Sequence, residues 1–288
     1  MSPELASRHF DALGSTCELL SLGSGQAALE RCEARVREAE ARFTRFLRDS
    51  ELARLNAGDG RYLPVSPEMF AMLEAALWAF DESQGLVNAA VLPALVSAGY
   101  DRPFRLGLIE PATAAGAQLP PLPEILLLDA ATRSAALAPG AALDLGGIAK
   151  GALADQLIDE LGDNAVCNLG GDLRVRGRGP DGDGWHIGLC DRTAVALTEG
   201  AVCTSGTTRR RWGQSAHHLI DPRTGLPART DLAEVSVVTD SALRGEVYAK
   251  CAMLLGSAGG VTFLEARGVH YALVPAVTTG ERMLGAAA

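Results

Sequence analysis

The run Asp144-Leu145-Gly146-Gly147-Ile148-Ala149-Lys150-Gly151 joins the end of an extended segment, a glycine pair and the first turn of a helix. Residues 143–147 lead into it, and a pattern of helical period runs on over 148–161, with Gly162 placed to terminate it. Two glycines just before a helix let a ligand approach the backbone, and the helix amino end attracts phosphate. Lys150 falls in the first turn, where a cation opposes the helix dipole unless an anion partners it. The plain structural alternative is a strand–turn–helix corner with Lys150 in solvent.

Working outward, the same alternation of strand and helix signals continues. Upstream, residues 8–22 read as a strand. A helix follows from Gln26, with Leu29, Cys32, Val36, Ala39, Phe43 and Phe46 at helical spacing. Ser66-Pro67 is a capping residue followed by proline at the first helical position, and that helix runs to Gly85. An irregular loop is expected over 111–123, a strand over 124–128, and a turn at Pro139-Gly140. Downstream, strands are expected near 165–177, 185–191, 195–203 and 234–239, then a helix over 241–255 ending at Gly256, and a last strand over 269–274. The order reads as α+β: one domain over residues 1–288, mostly antiparallel sheet with helices at its sides. No G-x-G-x-x-G follows a strand and no G-x-x-x-x-G-K-[ST] occurs, so neither of those phosphate-binding designs applies.

Composition narrows the function classes. The chain has 288 residues, 48% hydrophobic and 21% charged, with net charge -9. That balance argues against nucleic-acid binding, which needs a basic surface. No uncharged apolar stretch of about 18 residues appears, so no membrane insertion is expected. The amino-terminal residues lack a basic, then apolar, export signal, and the six cysteines include no C-x-x-C pair. Both features favour a reducing, cytoplasmic location. Of 26 basic side chains only Lys150 and Lys250 are lysines, which leaves 24 arginines. Lysine's compact ammonium does what arginine's planar fork cannot. Arg209-Arg210-Arg211 is the only dense basic run, either a solvated loop or a phosphate contact.

Three further stretches hold more polar residues and glycines than packing needs. Asn168-Leu169-Gly170-Gly171-Asp172 places a glycine pair at a strand start, where a β-bulge is an equal reading. Thr204-Ser205-Gly206-Thr207-Thr208 is followed by His217-His218-Leu219-Ile220-Asp221-Pro222-Arg223-Thr224-Gly225. Adjacent histidines on a strand face opposite ways, so at most one serves a given site. Glu246 and Lys250 stand four residues apart on one helical face, where an ion pair is the default.

In this order, and together with Ala12-Leu13-Gly14-Ser15-Thr16 and the segment 43–56, these stretches resemble the ApbE family of FAD:protein FMN transferases. The resemblance implies a T-fold-like α+β domain that binds FAD. It implies a divalent ion, usually magnesium (Mg2+), and transfer of FMN to a threonine hydroxyl of an acceptor flavoprotein, with release of AMP. By matching position, His218 is the base, and Asp221 either orients it or shapes the turn. Leu13, Phe46, Leu86, Val87, Asn88, Asp144 and Lys150 match FAD-contacting positions. Gly147 and Ala249 match backbone carbonyls that ligate the metal. Two departures stand out. Glu246 and Lys250 replace an aspartate and a threonine among the metal ligands, and Asn88 replaces an aspartate. A carboxylate can hold magnesium. An ammonium has no lone pair, so Lys250 is instead a substitute for the metal's charge. An FAD pyrophosphatase and a noncatalytic FAD-binding protein are the alternative functions. The sequence carries no signal for oligomeric state.

Overall fold

The computed structural model describes residues 4–109, 116–213 and 216–276. Its main sheet has seven strands: β1 (Leu5–Ala12), β2 (Ser15–Leu22), β3 (Ala165–Leu169), β4 (Asp172–Arg176), β5 (Glu199–Gly206), β6 (Leu232–Thr239) and β7 (His270–Pro275). They neighbour one another in chain order, and every pairing is antiparallel. In such a meander alternate connections fall on the same edge. The β1–β2, β3–β4 and β5–β6 connections therefore share one edge, and they contain residues 13–14, 170–171 and 207–231. Three of the stretches singled out above are gathered there by topology alone.

Side chains alternate between the two faces of each strand. Cys17, Leu19, Cys167, Leu169, Ala201 and Cys203 face the helices. Helices α1 (Gly25–Phe43) and α3 (Ala149–Leu161) cover that face through Leu29, Cys32, Val36, Leu153 and Leu157. Each leucine so buried contributes roughly 1.5–3 kcal/mol. Helix α2 (Pro67–Glu82) and helix α4 (Ala242–Glu265) belong to a second cluster, with Met69 and Leu73 of α2, Val247 and Cys251 of α4, and Val235 and Val237 of β6. On the opposite face Val166, Val175 and Leu20 meet Trp185, Ile187 and Leu197 of a small hairpin. Helix α4 is long and apolar enough to cross a membrane, yet half of its most apolar window is buried in the fold.

Several boundaries differ from the sequence reading. Residues 8–22 form a hairpin, not one strand, because Leu13 (φ 55) and Gly14 (φ 65) make a two-residue turn. Residues 165–177 likewise divide at Gly170-Gly171 into the β3–β4 hairpin, so the glycine pair is a turn and not a bulge. Helix α1 stops at Phe43, which leaves Phe46 beyond it. The loop expected over 111–123 lies partly outside the described residues, and Leu122–Ile125 forms a helical turn. Gly256 takes a left-handed φ of 73 and breaks the helix as expected, but α4 then resumes to Glu265. The carboxylate of Asp231 accepts from the amide of Ser257 at 2.8 Å, capping the second segment. Ser66 caps α2 as predicted, its hydroxyl accepting from the amide of Met69.

Candidate active site

The amino end of α3 is where the buried charges meet. Lys150 donates to the carboxylates of Asp172 and of Glu246, the latter at 3.3 Å. Glu246 accepts a second bond from the amide of Gly151 at 2.9 Å. Its side chain is only 4% exposed and that of Asp172 only 3%, so both are cut off from solvent. Burial works to raise the Glu246 carboxyl, but Lys150 and Lys250 outweigh it and hold it below the usual carboxylate range. Burial, and then the like charges of Lys250 and Arg210, push the Lys150 ammonium down, against the pull of Glu246. Lys150 is thus a buried ion-pair member and not a solvated corner residue. Asp172 was quoted in the sequence motif without a role. The signal for it was its strand parity, which turns it onto the helix side.

Lys250, one turn along α4 from Glu246, donates to the carbonyl of Gly147 at 2.8 Å and stands 3.6 Å from Glu246 Oε1. The four expected metal positions therefore do not fit a divalent ion. The Gly147 carbonyl and Glu246 are taken up by Lys250, Lys150 and the Gly151 amide. Ala249 is fully buried inside α4, where a carbonyl bonds the amide four residues on. Among the described residues, no group of three His, Cys, Asp or Glu side chains could hold a metal.

The two histidines separate, but not by strand alternation: the strand expected to hold both ends at His217, and His218 lies in the bend after it. Buried His217 is spent on structure, its Nε2 2.9 Å from the Ala228 carbonyl and its Nδ1 accepting from the Leu219 amide at 3.3 Å. His218 Nδ1 is buried and has no hydrogen-bond partner among the described residues. Burial first, then the charges of Arg210, Lys250 and His217, hold its imidazole well below the ordinary histidine value. The ring is thus neutral in a cationic setting. Asp221 does not orient it. Its carboxylate receives the Arg223 amide at 2.9 Å and the Arg223 guanidinium at 2.8 and 2.7 Å. Burial opposes this charge, but Arg223 keeps the Asp221 carboxyl below its ordinary value. Its backbone carbonyl also accepts from Gly225 at 2.8 Å, so Asp221 shapes the turn.

The remaining predicted contacts surround this centre. Arg210 donates to the carbonyls of Leu13 and Gly14, each at 3.1 Å, and Glu40 accepts from the Leu13 amide at 2.8 Å. Leu13 is thereby held in a conformation that a branched side chain rarely adopts. Asp144 bonds Arg45 at 2.6 Å and the Gly146 amide at 2.8 Å. The Arg45 guanidinium lies 4.3 Å from the Phe46 ring centre and 4.7 Å from that of Tyr100, and Tyr100 packs on Trp212. Sequence reasoning missed Arg45, Tyr100 and Trp212. Arginine is too common in this chain to signal, and the aromatics are far apart in sequence. Val87 is buried in the core, with Leu86 packed against the same cluster. Both ends of the Asn88 amide are used, donating to Pro120 and accepting from Ala90, each at 2.9 Å. Asparagine thus serves as the cap of Ala89–Val91 without bringing a charge.

On the opposite face of the sheet, a cavity of about 420 Å³ reaches the Gly170-Gly171 turn and is lined by Thr16, Glu18, Asn168, Thr204 and Arg209. A site with a glycine-rich helix entry, an unpartnered base, flanking cations and an aromatic–guanidinium stack suits an anionic, ring-bearing ligand.

The profile of the ApbE family matches residues 13–273. A curated FAD:protein FMN transferase of Treponema pallidum is 31% identical over 259 residues, covering 80% of this chain and 72% of that protein. One from Klebsiella pneumoniae is 29% identical over 277 residues, covering 88% and 84%. Among solved structures, the apo flavinyl transferase ApbE of Pseudomonas stutzeri superposes with TM-score 0.83 at 24% identity, over 97% of this chain and 93% of that one. An ApbE protein of Thermotoga maritima gives the same TM-score at 22% identity, over 94% of each chain. Through this shared fold and its matched sequence, the chain belongs to the ApbE family.

Proposed function

We propose that this chain is an FAD:protein FMN transferase that moves FMN from FAD onto a threonine hydroxyl of an acceptor flavoprotein. The observation that carries the reading is the buried, unpartnered Nδ1 of His218 beside Arg210 and Lys250. A binding protein needs no such base. The curated relatives of this name support the same reaction.

In the proposed step the threonine oxygen bonds to the phosphorus of the FMN half of FAD. The bond from that phosphorus to the bridging oxygen breaks, and that oxygen leaves on AMP. The threonine proton passes to His218, which is neutral and able to accept it. The cationic setting that disfavours a proton on the empty imidazole is offset once the anionic pyrophosphate arrives, so the ring becomes a better base with substrate bound. Lys250 and Arg210 face the same region and offset charge on the phosphate oxygens. The Asp144–Arg45–Phe46–Tyr100 assembly supplies the surface for a flavin or adenine ring. The magnesium that the resemblance implies finds the Gly147 carbonyl and Glu246 already engaged by Lys250, Lys150 and the Gly151 amide. The six cysteines are free, which supports a reducing, cytoplasmic setting and an acceptor found there.

The test is incubation with FAD and an apo acceptor flavoprotein carrying its target threonine, following AMP by chromatography and protein-bound flavin by in-gel fluorescence. The reading expects AMP and labelled acceptor together, with no label after Thr→Ala in the acceptor. Free FMN and AMP with an unlabelled acceptor would make the chain a pyrophosphatase, and intact FAD would make it a binding protein.

A further inference from the structure

We propose that the Lys250 ammonium is this site's own cation, built into the chain in place of a divalent metal, so that FAD is bound and cleaved without one. This rests on the flavin reading above and concerns how the same site handles charge.

The position is the first argument. Lys250 Nζ lies 2.8 Å from the Gly147 carbonyl and 3.6 Å from Glu246 Oε1, between the two oxygens that a magnesium ion would share. Magnesium requires its oxygens at about 2.0–2.1 Å in near-octahedral array. The ammonium fills that space.

Charge balance is the second. Asp172 and Glu246 carry two negative charges, and Lys150 and Lys250 carry two positive ones within the same cluster. With threonine at position 250 the cluster would be net negative and would attract a divalent ion. With lysine it is neutral, and the positive charge of Arg210 also acts on Lys150 within it. A divalent ion would then enter against like charge, whereas an anionic pyrophosphate meets complementary charge.

Residue choice is the third. In a chain that uses arginine at 24 of 26 basic positions, both lysines flank one buried glutamate. Arginine's fork could not sit between a carbonyl and a carboxylate as a compact ammonium does.

The experiment uses the metal-stripped full chain, with magnesium chloride as one titrant and FAD as the other. Calorimetry of wild type with magnesium is expected to show no stoichiometric uptake. The FAD dissociation constant, read from flavin fluorescence, is expected to differ by less than about twofold between magnesium and EDTA, with AMP release continuing in EDTA. Lys250→Thr is expected to weaken FAD binding in EDTA by about tenfold or more, and magnesium is expected to restore it. Stoichiometric magnesium on wild type, or AMP release that stops in EDTA while FAD stays bound and returns with magnesium, overturns the proposal. These wild-type arms need no variant to fold. If FAD never binds, the flavin reading fails separately, and the magnesium titration of the ligand-free chain decides this proposal alone.

Discussion

The division of labour between His217 and His218 was half legible from the sequence. A strand through both would turn them opposite ways, but the strand ends at His217, and nothing in the sequence says which of them meets a carbonyl. The structure spends His217 on Ala228 and leaves His218 Nδ1 unpartnered. His218→Gln should lower the transfer rate about 10²–10⁴-fold with FAD binding retained, measured as kcat for AMP release alongside flavin fluorescence. Asp221 sits two residues beyond Leu219 on the same turn and behaves differently. Asp221→Asn should leave kcat within a few-fold while loosening the turn that Arg223 and Gly225 hold, which limited proteolysis would detect. Loss of activity as complete as in His218→Gln would restore Asp221 to the catalytic step. Motif residues were readable because their spacing is local. Asp172 and Arg45 were not, because their partners Lys150 and Asp144 lie 22 and 99 positions away.

At the scale of elements, most helices and the turns at Pro139-Gly140 and Asp221–Gly225 were readable, and the two hairpin turns of the main sheet were not. The β1–β2 hairpin was hidden because a leucine occupies its first positive-φ position, where Asn or Gly usually signals the turn. Gly256 was read correctly as a stop, but the restart of α4 depends on Asp231, twenty-six residues away by the hydrogen bond to Ser257. Gly256→Ala should therefore destabilise the fold by roughly 1 kcal/mol or more, because alanine disfavours φ 73 and its Cβ would stand 3.0 Å from Asp231 Oδ1. Urea unfolding is the measurement, and an unchanged midpoint would show that the kink relaxes. Lys150→Met should cost more, about 3–5 kcal/mol, since it leaves Asp172 and Glu246 buried without their shared partner. A midpoint equal to wild type would mean that solvent reaches the cluster.

Across the whole molecule, the meander explains why motifs scattered from Leu13 to Lys250 converge. Alternate turns share an edge, and α3 and α4 bring their buried charges to the same side. The sequence located the extended segments but ran two hairpins together, over 8–22 and 165–177, as single strands. It could not supply their pairing, because antiparallel neighbours here are separated by as many as 142 residues, from Leu22 at the end of β2 to Ala165 at the start of β3. Global stability should respond to His218 as well. Its folded-state value lies below the unfolded value of about 6.5. The unfolded chain therefore binds the extra proton first. Stability from this group is complete above about pH 6.5 and declines as pH falls below it. Urea titrations between neutral and mildly acidic pH should show that decline, reduced in His218→Gln.

The most direct test of the account is the pH dependence of kcat/KM for FMN transfer by wild type and His218→Gln. A neutral His218 held low by burial and by Arg210 and Lys250 predicts that the acid limb for wild type falls below pH 6.5. That limb should disappear, and the rate collapse, in the variant. A wild-type limb at or above pH 6.5, or a variant that transfers FMN at nearly the wild-type rate, would contradict the role assigned to His218 and the cationic site built around it.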